Sequence, residues 1–217
     1  MEENSKTWHA EVISPEMADT AGRLAGLEAL RNFYLAGGTA LALHLGHRRS
    51  VDLDFFSADP FHEDTLVAIL QALPELSLVS KSTQTLHLHV SGTKVSFIGY
   101  SYPLLFPLEQ FRGLAVADVR DVACMKLSAL ASRGSRRDFV DLYAAAQRYG
   151  LPRLLEFFQR KFAQANYSVI HVQKSLVYFV DAEKEPMPAT LLPLSWEEVK
   201  AFFLREVRNL RHSWRAF

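Results

Sequence analysis

The sequence predicts an α/β (α+β) fold in which a mixed β-sheet forms an N-terminal lobe and helices form a C-terminal lobe. Short strand-like runs of apolar residues lie between residues 33 and 98. From residue 118 onward the apolar residues recur at the spacing of amphipathic helices. We therefore expect lobes at 1–117 and 118–217, packed as one compact unit with a ligand cleft between them.

Composition excludes several classes of protein. Just under half of the 217 residues are apolar, which is enough for a core, but no apolar run is long enough to cross a bilayer. The first residues are acidic and polar, unlike a signal peptide. Cys124 is the single cysteine, so an internal disulfide and a cysteine zinc cluster are excluded. These features predict a cytoplasmic protein without a membrane segment.

Charge is unevenly distributed although the whole chain is neutral. Residues 1–119 carry 8 Lys and Arg against 14 Asp and Glu, whereas residues 120–217 carry 16 against 10. A basic second half could hold phosphates or RNA. The alternative is an ordinary solvated helix surface.

The N-terminal half alternates helices with short strands. Ser14-Pro15-Glu16 is a helix start, with a capping serine and a proline at the first helical position. The apolar spacing then predicts a helix to about residue 31, a strand at 33–36, a helix at 39–45, a strand at 51–56 and a helix from 62 to 73.

Residues 76–98 read as three short strands, and 101–117 as a loop with short extended pieces. His87 and His89 lie two apart on the second strand, so they share one face. Such a pair could bind a metal, but no third ligand stands at a suitable spacing. A half-exposed strand face is the alternative.

The C-terminal half is mostly helical. Asp118 should cap a helix over 119–132, and another helix should begin at Asp138. Further helices are predicted at 153–164, at 168–179 and from the capping box at Ser195 to about residue 211, with an acidic, proline-containing connector at 181–193.

The most informative stretch is residues 33–57, FYLAGGTALALHLGHRRSVDLDFFS. Gly37 and Gly38 lie between a strand and a helix start, where the backbone can turn sharply and helix N–H groups favour an anion. Asp52 and Asp54 should share one face of the next strand, opposite Val51, Leu53 and Phe55. The alternative is a tight turn followed by two solvent-exposed aspartates.

Two carboxylates on one face of an apolar strand are unfavourable unless a positive charge lies between them. A divalent cation, Mg²⁺ above all, suits such a pair because it prefers oxygen ligands and keeps positions for phosphate and water. Asp52 and Asp54 are therefore the predicted metal ligands and catalytic residues.

The pattern Gly-Gly-Thr, helix, Asp-x-Asp resembles the nucleotidyltransferase superfamily that includes DNA polymerase β. The fuller string GGTALALHLGHRRSVDLDFF is similar to the AbiEii/AbiGii toxin family within it, bacterial proteins that are often the toxin of a toxin–antitoxin or phage-defence pair. The resemblance implies a nucleotidyltransferase-like fold. It also implies that the triphosphate is held by Gly37, Gly38, Thr39, Arg48 and Ser50.

A second string, MKLSALASRGSRRDFVDLY, is similar to the second signature of that family. Lys126 falls on the apolar stripe of its predicted helix, where a lysine should be paired or functional unless it reaches water from the stripe's edge. The resemblance implies that Lys126 contacts nucleotide phosphates. It implies a catalytic role for Asp138, orienting the acceptor hydroxyl or the lysine; Asp141 also matches. Capping of the helix is the alternative for either aspartate.

One departure from the superfamily pattern concerns the strand at 94–98. Many such enzymes have a third carboxylate there, but no Asp or Glu lies between Glu75 and Glu109, and Ser96 stands at the corresponding position. A single Mg²⁺ carried largely by the nucleotide is therefore expected instead of a two-metal mechanism.

The resemblance implies a Mg²⁺-dependent nucleotidyltransferase that moves a nucleoside monophosphate from a nucleoside triphosphate to an acceptor such as the 3′ end of tRNA. A cognate antitoxin protein is the expected partner. Two alternatives stay open: a non-catalytic NTP- or RNA-binding module on the same fold, and a small-molecule nucleotidyltransferase of the antibiotic-modifying kind.

Overall fold

The structure, a computed structural model, describes residues 7–165 and 167–213, without the side chains of 211–213. Its centre is a seven-stranded mixed sheet with the strand order β3-β4-β5-β2-β1-β7-β6. The strands are β1 Tyr34–Ala36, β2 Asp52–Ser57, β3 Leu76–Ser82, β4 Thr85–Val90, β5 Thr93–Gly99, β6 Glu109–Phe111 and β7 Leu114–Val116. The mixed α/β prediction is confirmed.

Eight helices accompany the sheet in the described part of the chain. They are α1 Pro15–Ala25, α2 Gly37–Leu45, α3 Glu63–Leu70, α4 Val119–Ser132, α5 Arg136–Tyr149, α6 Leu151–Lys161, α7 Val169–Ser175 and α8 Trp196–Ser213. None of the described helices is long and apolar enough to cross a membrane.

Several predicted helices end before the apolar pattern suggested. The helix predicted at 62–73 ends at Leu70 and the one predicted at 153–164 ends at Lys161. The first predicted helix ends at Ala25, followed by a separate 3-10 turn at Glu28–Leu30, since Gly26 interrupts the helix. The helix predicted at 168–179 ends at Ser175. After Ala25 and after Ser175 the apolar periodicity continues past the helix end because turn residues also pack on the core.

Strand β2 carries the acidic pair at the middle of the sheet. It runs antiparallel to β1 and parallel to β5. Leu53 and Phe55 are buried, whereas Asp52 and Asp54 are half-buried on the opposite face, as the alternation predicted. The prediction for Val51 was wrong: it precedes the strand and is 65% exposed.

Helix α2 lies under the site as an almost wholly buried helix of small and aliphatic residues. It contacts β1 and β2 on one side and α4 and α5 on the other, so it joins the sheet to the helical part. Gly46 ends α2 in the left-handed conformation, φ +64°, which turns the chain into the loop before β2.

The predicted connector at 181–193 crosses back to that loop. The N–H of Arg49 donates to the carbonyl of Ala189 at 2.9 Å, and the N–H of Leu191 donates to the carbonyl of His47 at 3.0 Å. Between these bonds Arg48 pairs with Thr190 in an isolated β-bridge. The segment thus fixes the loop from which Arg48 projects.

Candidate active site

A cleft of about 270 Å³ opens where β2, the start of α2 and the α4–α5 turn meet. Charged side chains dominate its wall: four basic ones, Arg48, Lys126, Arg133 and Arg137, and five acidic ones, Asp52, Asp54, Asp138, Asp181 and Glu185. The structure therefore brings the predicted acidic pair together with the residues of the second signature.

The two aspartates of β2 face this cleft side by side. Burial and the neighbouring charge of Asp52 raise the pKa of Asp54, while a hydrogen bond from Ser96 and the charge of Lys126 act in the opposite direction. The negative charge of ionised Asp54 is thus only partly balanced by its neighbours, as expected of a carboxylate that receives a cation.

Thr39 and Ser50 lie behind Asp52, away from the cleft wall. Both are buried, and their hydroxyl oxygens are 2.7 Å apart. The Thr39 hydroxyl donates to the carbonyl oxygen of Asp52, and the Ser50 hydroxyl lies 3.5 Å from its carboxylate. In this geometry they support Asp52; their predicted contact with a triphosphate stays a prediction.

Side chains of other residues lie so close to Gly37 and Gly38 that a side chain at either position would displace them. Gly37 has φ +65°, and a Cβ there would lie 3.0 Å from Oδ2 of Asp54. A Cβ on Gly38 would lie 2.2 Å from Nη2 of Arg48. The glycine pair therefore lets the start of α2 approach both Asp54 of β2 and the guanidinium group of Arg48.

Asp141 is the centre of the charge network, although sequence reasoning gave it the least weight. Its fully buried carboxylate accepts from Nε and Nη2 of Arg48 at 2.6 and 2.9 Å, and from Nε2 of His47 at 2.8 Å. The Nζ of Lys126 lies 2.8 Å from its Oδ2. Burial alone would raise the pKa of Asp141, but Lys126 and Arg48 hold that pKa well below its usual range.

Lys126 is paired on both sides. Besides Asp141, it donates to Oδ1 of Asp138 at 2.7 Å, and Oδ2 of Asp138 accepts from the hydroxyl of Ser135 at 2.7 Å. Burial acts to lower the pKa of Lys126, yet the two carboxylates raise it, so the amine stays charged. Asp138 thus forms an ion pair with the lysine, whereas the catalytic role that the resemblance implied for it stays a prediction.

Two arginines that sequence reasoning did not assign reach the mouth of the cleft. Arg133 and Arg137 are exposed, and within the described residues neither guanidinium forms an ion pair. Arg48, by contrast, is 5% exposed and committed to Asp141. The basic run at 133–137 was the available signal, because Gly134 and Ser135 place it at a helix start beside the acids.

The position beside Asp54 on the next strand is occupied by Ser96, the register partner of Asp54 on β5. Nδ1 of His87, on β4, lies 3.0 Å from the Ser96 hydroxyl. His87 and His89 share the half-buried face, as predicted. Among the described residues there is no cluster of three or more His, Cys, Asp or Glu placed to hold a metal.

The donor set nevertheless suits Mg²⁺. That ion is commonly bound by one or two carboxylates together with substrate phosphates and waters, so a third protein ligand is not required. Asp52 and Asp54 would supply two oxygen ligands to such an ion; burial, and after it the charge of Asp52, raises the pKa of Asp54.

A second pocket, of about 260 Å³, adjoins the cleft and shares Asp54, Lys126 and Asp138 with it. The wall that it does not share includes the apolar and aromatic side chains of Phe56, Tyr100 and Met125, with Ser128, Ala129 and Ser132 beside them. The rings of Phe56 and Tyr100 pack edge to face with centroids 5.6 Å apart. Asp54, Lys126 and Asp138 therefore lie between a charged compartment and one with aromatic side chains.

The sequence matches a family profile described as nucleotidyl transferase AbiEii toxin, type IV TA system, over residues 24–103 and 99–217. It is also 37% identical over 203 residues to an uncharacterised protein of Aquifex aeolicus, aq_aa25, covering 91% of this chain and 97% of that protein.

Solved structures show the same fold at low identity. The nucleotidyltransferase toxin MenT4 from Mycobacterium tuberculosis superposes with a TM-score of 0.57 at 16% identity, over 87% of this chain and 80% of MenT4. JHP933 from Helicobacter pylori superposes with a TM-score of 0.52 at 19% identity, over 96% of this chain and 95% of JHP933. The antibiotic-resistance factor ANT(2'')-Ia superposes with a TM-score of 0.51 at 11% identity, over 69% of this chain and 94% of that protein. With a family match over most of its length, this chain belongs to the AbiEii nucleotidyl transferase toxin family.

Proposed function

We propose that this protein is a Mg²⁺-dependent nucleotidyltransferase that transfers a nucleoside monophosphate from a nucleoside triphosphate to a hydroxyl of RNA, the 3′ end of tRNA above all. The supporting observation is the convergence of Asp52 and Asp54 with Lys126, Arg133 and Arg137 in one cleft. We further propose that it acts in the bacterial cytoplasm as a toxin with a cognate antitoxin, in phage defence.

Charge balance supports the metal requirement. Four basic and five acidic side chains line the cleft, so it carries no positive excess to attract a triphosphate. Arg48 and Lys126 are moreover already paired with buried carboxylates. A divalent cation on Asp52 and Asp54 would reverse the local sign and supply Lewis-acid stabilisation to the phosphates. Nucleotide binding should therefore depend on Mg²⁺.

Arg133 and Arg137, which form no ion pair with the residues that the structure describes, are the groups we assign to the leaving pyrophosphate. Transfer forms a bond from the acceptor oxygen to the α-phosphorus and breaks the bond from that phosphorus to pyrophosphate, while the hydroxyl proton passes to water. Arg133 and Arg137 can contact the departing phosphates without breaking an existing ion pair. Lys126, held by Asp138, adds fixed positive charge near the reacting phosphate.

The aromatic pocket suits a planar group next to the reacting centre. Phe56 and Tyr100 offer ring faces and edges on which a nucleobase can pack. A polycationic aminoglycoside would instead be expected beside several free carboxylates. Of the described residues that line the aromatic pocket only Asp54 and Asp138 are acidic, and Asp138 is paired with Lys126. This favours a nucleotide-bearing acceptor in that pocket over a small antibiotic, even though ANT(2'')-Ia shares the fold.

The test is transfer of label from each α-labelled NTP to total tRNA with Mg²⁺. Wild type is compared with Asp54→Asn and with Arg133→Ala/Arg137→Ala. We expect label on RNA from one NTP, lost in Asp54→Asn and reduced in the arginine variant through a higher KM for the NTP. Label on an aminoglycoside alone, or transfer that survives Asp54→Asn, would contradict the proposal.

A non-catalytic NTP- or RNA-binding module is the second candidate, and Ser96 is the observation that favours it. Beside Asp54, where a third carboxylate would complete the acidic set, the chain has a hydroxyl. Mg²⁺-dependent NTP binding without transfer to any RNA would support this reading. Turnover that depends on Asp54 would exclude it.

A further inference from the structure

A polar row crosses the open face of the sheet beside the acidic pair. Asp54 on β2 faces Ser96 on β5, and Ser96 faces His87 on β4. Directly paired residues point to the same face, with Cβ atoms about 4.5–5.5 Å apart in antiparallel strands. Nδ1 of His87 lies 3.0 Å from Oγ of Ser96, and all three side chains are half-buried.

The hydrogen bonds of this row run in one direction when Asp54 is ionised. Asp54 and Ser96 are register partners on adjacent strands, and a hydrogen bond from Ser96 acts to lower the pKa of Asp54. A carboxylate only accepts, so the single proton of the Ser96 hydroxyl points at Asp54. Oγ of Ser96 then has only lone pairs to offer His87, so Nδ1 of the imidazole must carry a hydrogen.

Asp54 needs such support because its surroundings disfavour its charge. It is half-buried beside Asp52, and a Cβ on Gly37 would lie 3.0 Å from its Oδ2. A serine hydroxyl by itself rotates to suit any acceptor. An N–H donor fixed on its oxygen removes the alternative orientations and leaves the proton directed at the carboxylate.

We propose that His87 is a positioning residue for Asp54. Through Nδ1–H it orients the Ser96 hydroxyl, which holds the Asp54 carboxylate in the conformation that binds the divalent cation. His87 and Ser96 thus form an outer shell of the metal site, whereas the sequence suggested for His87 either a direct metal contact with His89 or a half-exposed face. The inference rests on the proposed function in one respect: it takes Asp54 as a metal ligand.

The test compares His87→Asn, His87→Phe and Ser96→Ala. The asparagine amide places an N–H close to that of Nδ1, whereas phenylalanine keeps the ring and removes the donor. Affinity is measured for Mn²⁺, with and without inorganic tripolyphosphate, by electron paramagnetic resonance. We expect His87→Phe and Ser96→Ala to weaken binding by roughly 10- to 100-fold, the usual effect of removing an outer-shell partner.

His87→Asn should stay close to wild type. The double variant Ser96→Ala/His87→Phe should bind no more weakly than Ser96→Ala alone, because both changes break the same chain of bonds. Unchanged affinity in His87→Phe, equal loss in His87→Asn and His87→Phe, or additive losses in the double variant would each overturn the inference. So would a wild-type protein without measurable Mn²⁺ affinity.

Nitrogen-15 chemical shifts of the wild-type imidazole give a readout that needs no variant. We expect neutral His87 as the Nδ1–H tautomer; the Nε2–H tautomer would overturn the inference even if a variant failed to fold. Neither the metal titration nor the tautomer requires turnover. If both behave as expected while no RNA is labelled, the transferase proposal fails and the role of His87 stands.

Discussion

Replacing Asp141 by asparagine should destabilise the fold more than any surface charge change. Its carboxylate is fully buried and receives Arg48, His47 and Lys126, all within 2.9 Å. Asparagine preserves the size but carries no charge, and its amide N–H groups would face a donor. Removing one partner of a buried ion pair costs about 3–5 kcal/mol, because the remaining charge loses its compensation.

The pH dependence provides a second measure of the same interaction. The pKa of Asp141 is well below its ordinary value of 3.8 in the folded state. A carboxylate with a lowered pKa stabilises the fold above its unfolded pKa, and that contribution is lost as the pH falls through the folded pKa. The difference in the free energy of unfolding between wild type and Asp141→Asn should thus be constant near neutral pH and become smaller in acid.

Urea and thermal unfolding at pH 7 measure the effect. For a chain of this size each kcal/mol moves the midpoint by about 2–4 °C, so a fall of roughly 6–20 °C is expected. Asp64→Asn is the control, since Asp64 forms an exposed pair with Lys81, and its midpoint should not move. A loss below about 1 kcal/mol in Asp141→Asn would refute the assigned role, because it would fall far short of a broken buried ion pair.

Three further predictions concern stability. Asp54→Asn should raise the free energy of unfolding of the metal-free protein at pH 7 but not at pH 3. The pKa of Asp54 is raised in the folded state, so the wild-type protein loses stability as the pH rises through that pKa. An equal change in stability at pH 7 and pH 3 would contradict this prediction. Gly38→Ala should destabilise by about 1–3 kcal/mol in urea, since its Cβ would meet Arg48, whereas Gly22→Ala, with open space in α1, should stabilise slightly. Lys161→Met removes the ion-pair partner of Asp121, a buried carboxylate of α4, and should lower the stability of the fold by about 3–5 kcal/mol. A calorimetric unfolding midpoint equal to that of wild type would show that this ion pair is dispensable.

The order of the elements could be predicted because it depends on local patterns. Alternating residues placed Asp52 and Asp54 on one face of β2, and the glycine pair placed the start of α2. The ends of helices were harder to predict: apolar residues after Ala25 continue the helical spacing, but they pack as a 3-10 turn. Such boundaries are set by tertiary packing, which a local pattern does not contain.

The acidic pair and Lys126 could also be singled out from the sequence, because each is a charge within an apolar pattern. The resemblance also pointed to Asp138 as a partner of Lys126, but the partner of Arg48 could not be predicted. Arg48 pairs with a residue 93 positions away, and that pairing takes it out of the set of free cations. Ser96 and His87 were noted in the sequence, but their contact with each other and their relation to Asp54 arise from strand pairing across β5 and β4.

The pairing of Arg48 with Asp141 also determines how the site is assembled. Arg48 lies four residues before the acidic strand and belongs to the sheet side, whereas Asp141 lies on α5 and also holds Lys126 of α4. One buried carboxylate therefore fixes the distance between the carboxylates proposed to bind metal and the lysine proposed to face the phosphates. Moving the acidic strand away from α4 and α5 would expose these buried charges or leave them unpaired. The sheet side and the helical side of the site therefore cannot shift independently without a cost of several kcal/mol, about that of breaking a buried ion pair. Whatever movement accompanies substrate binding should thus be sought at Arg133 and Arg137, whose side chains are exposed and free of ion pairs within the described residues.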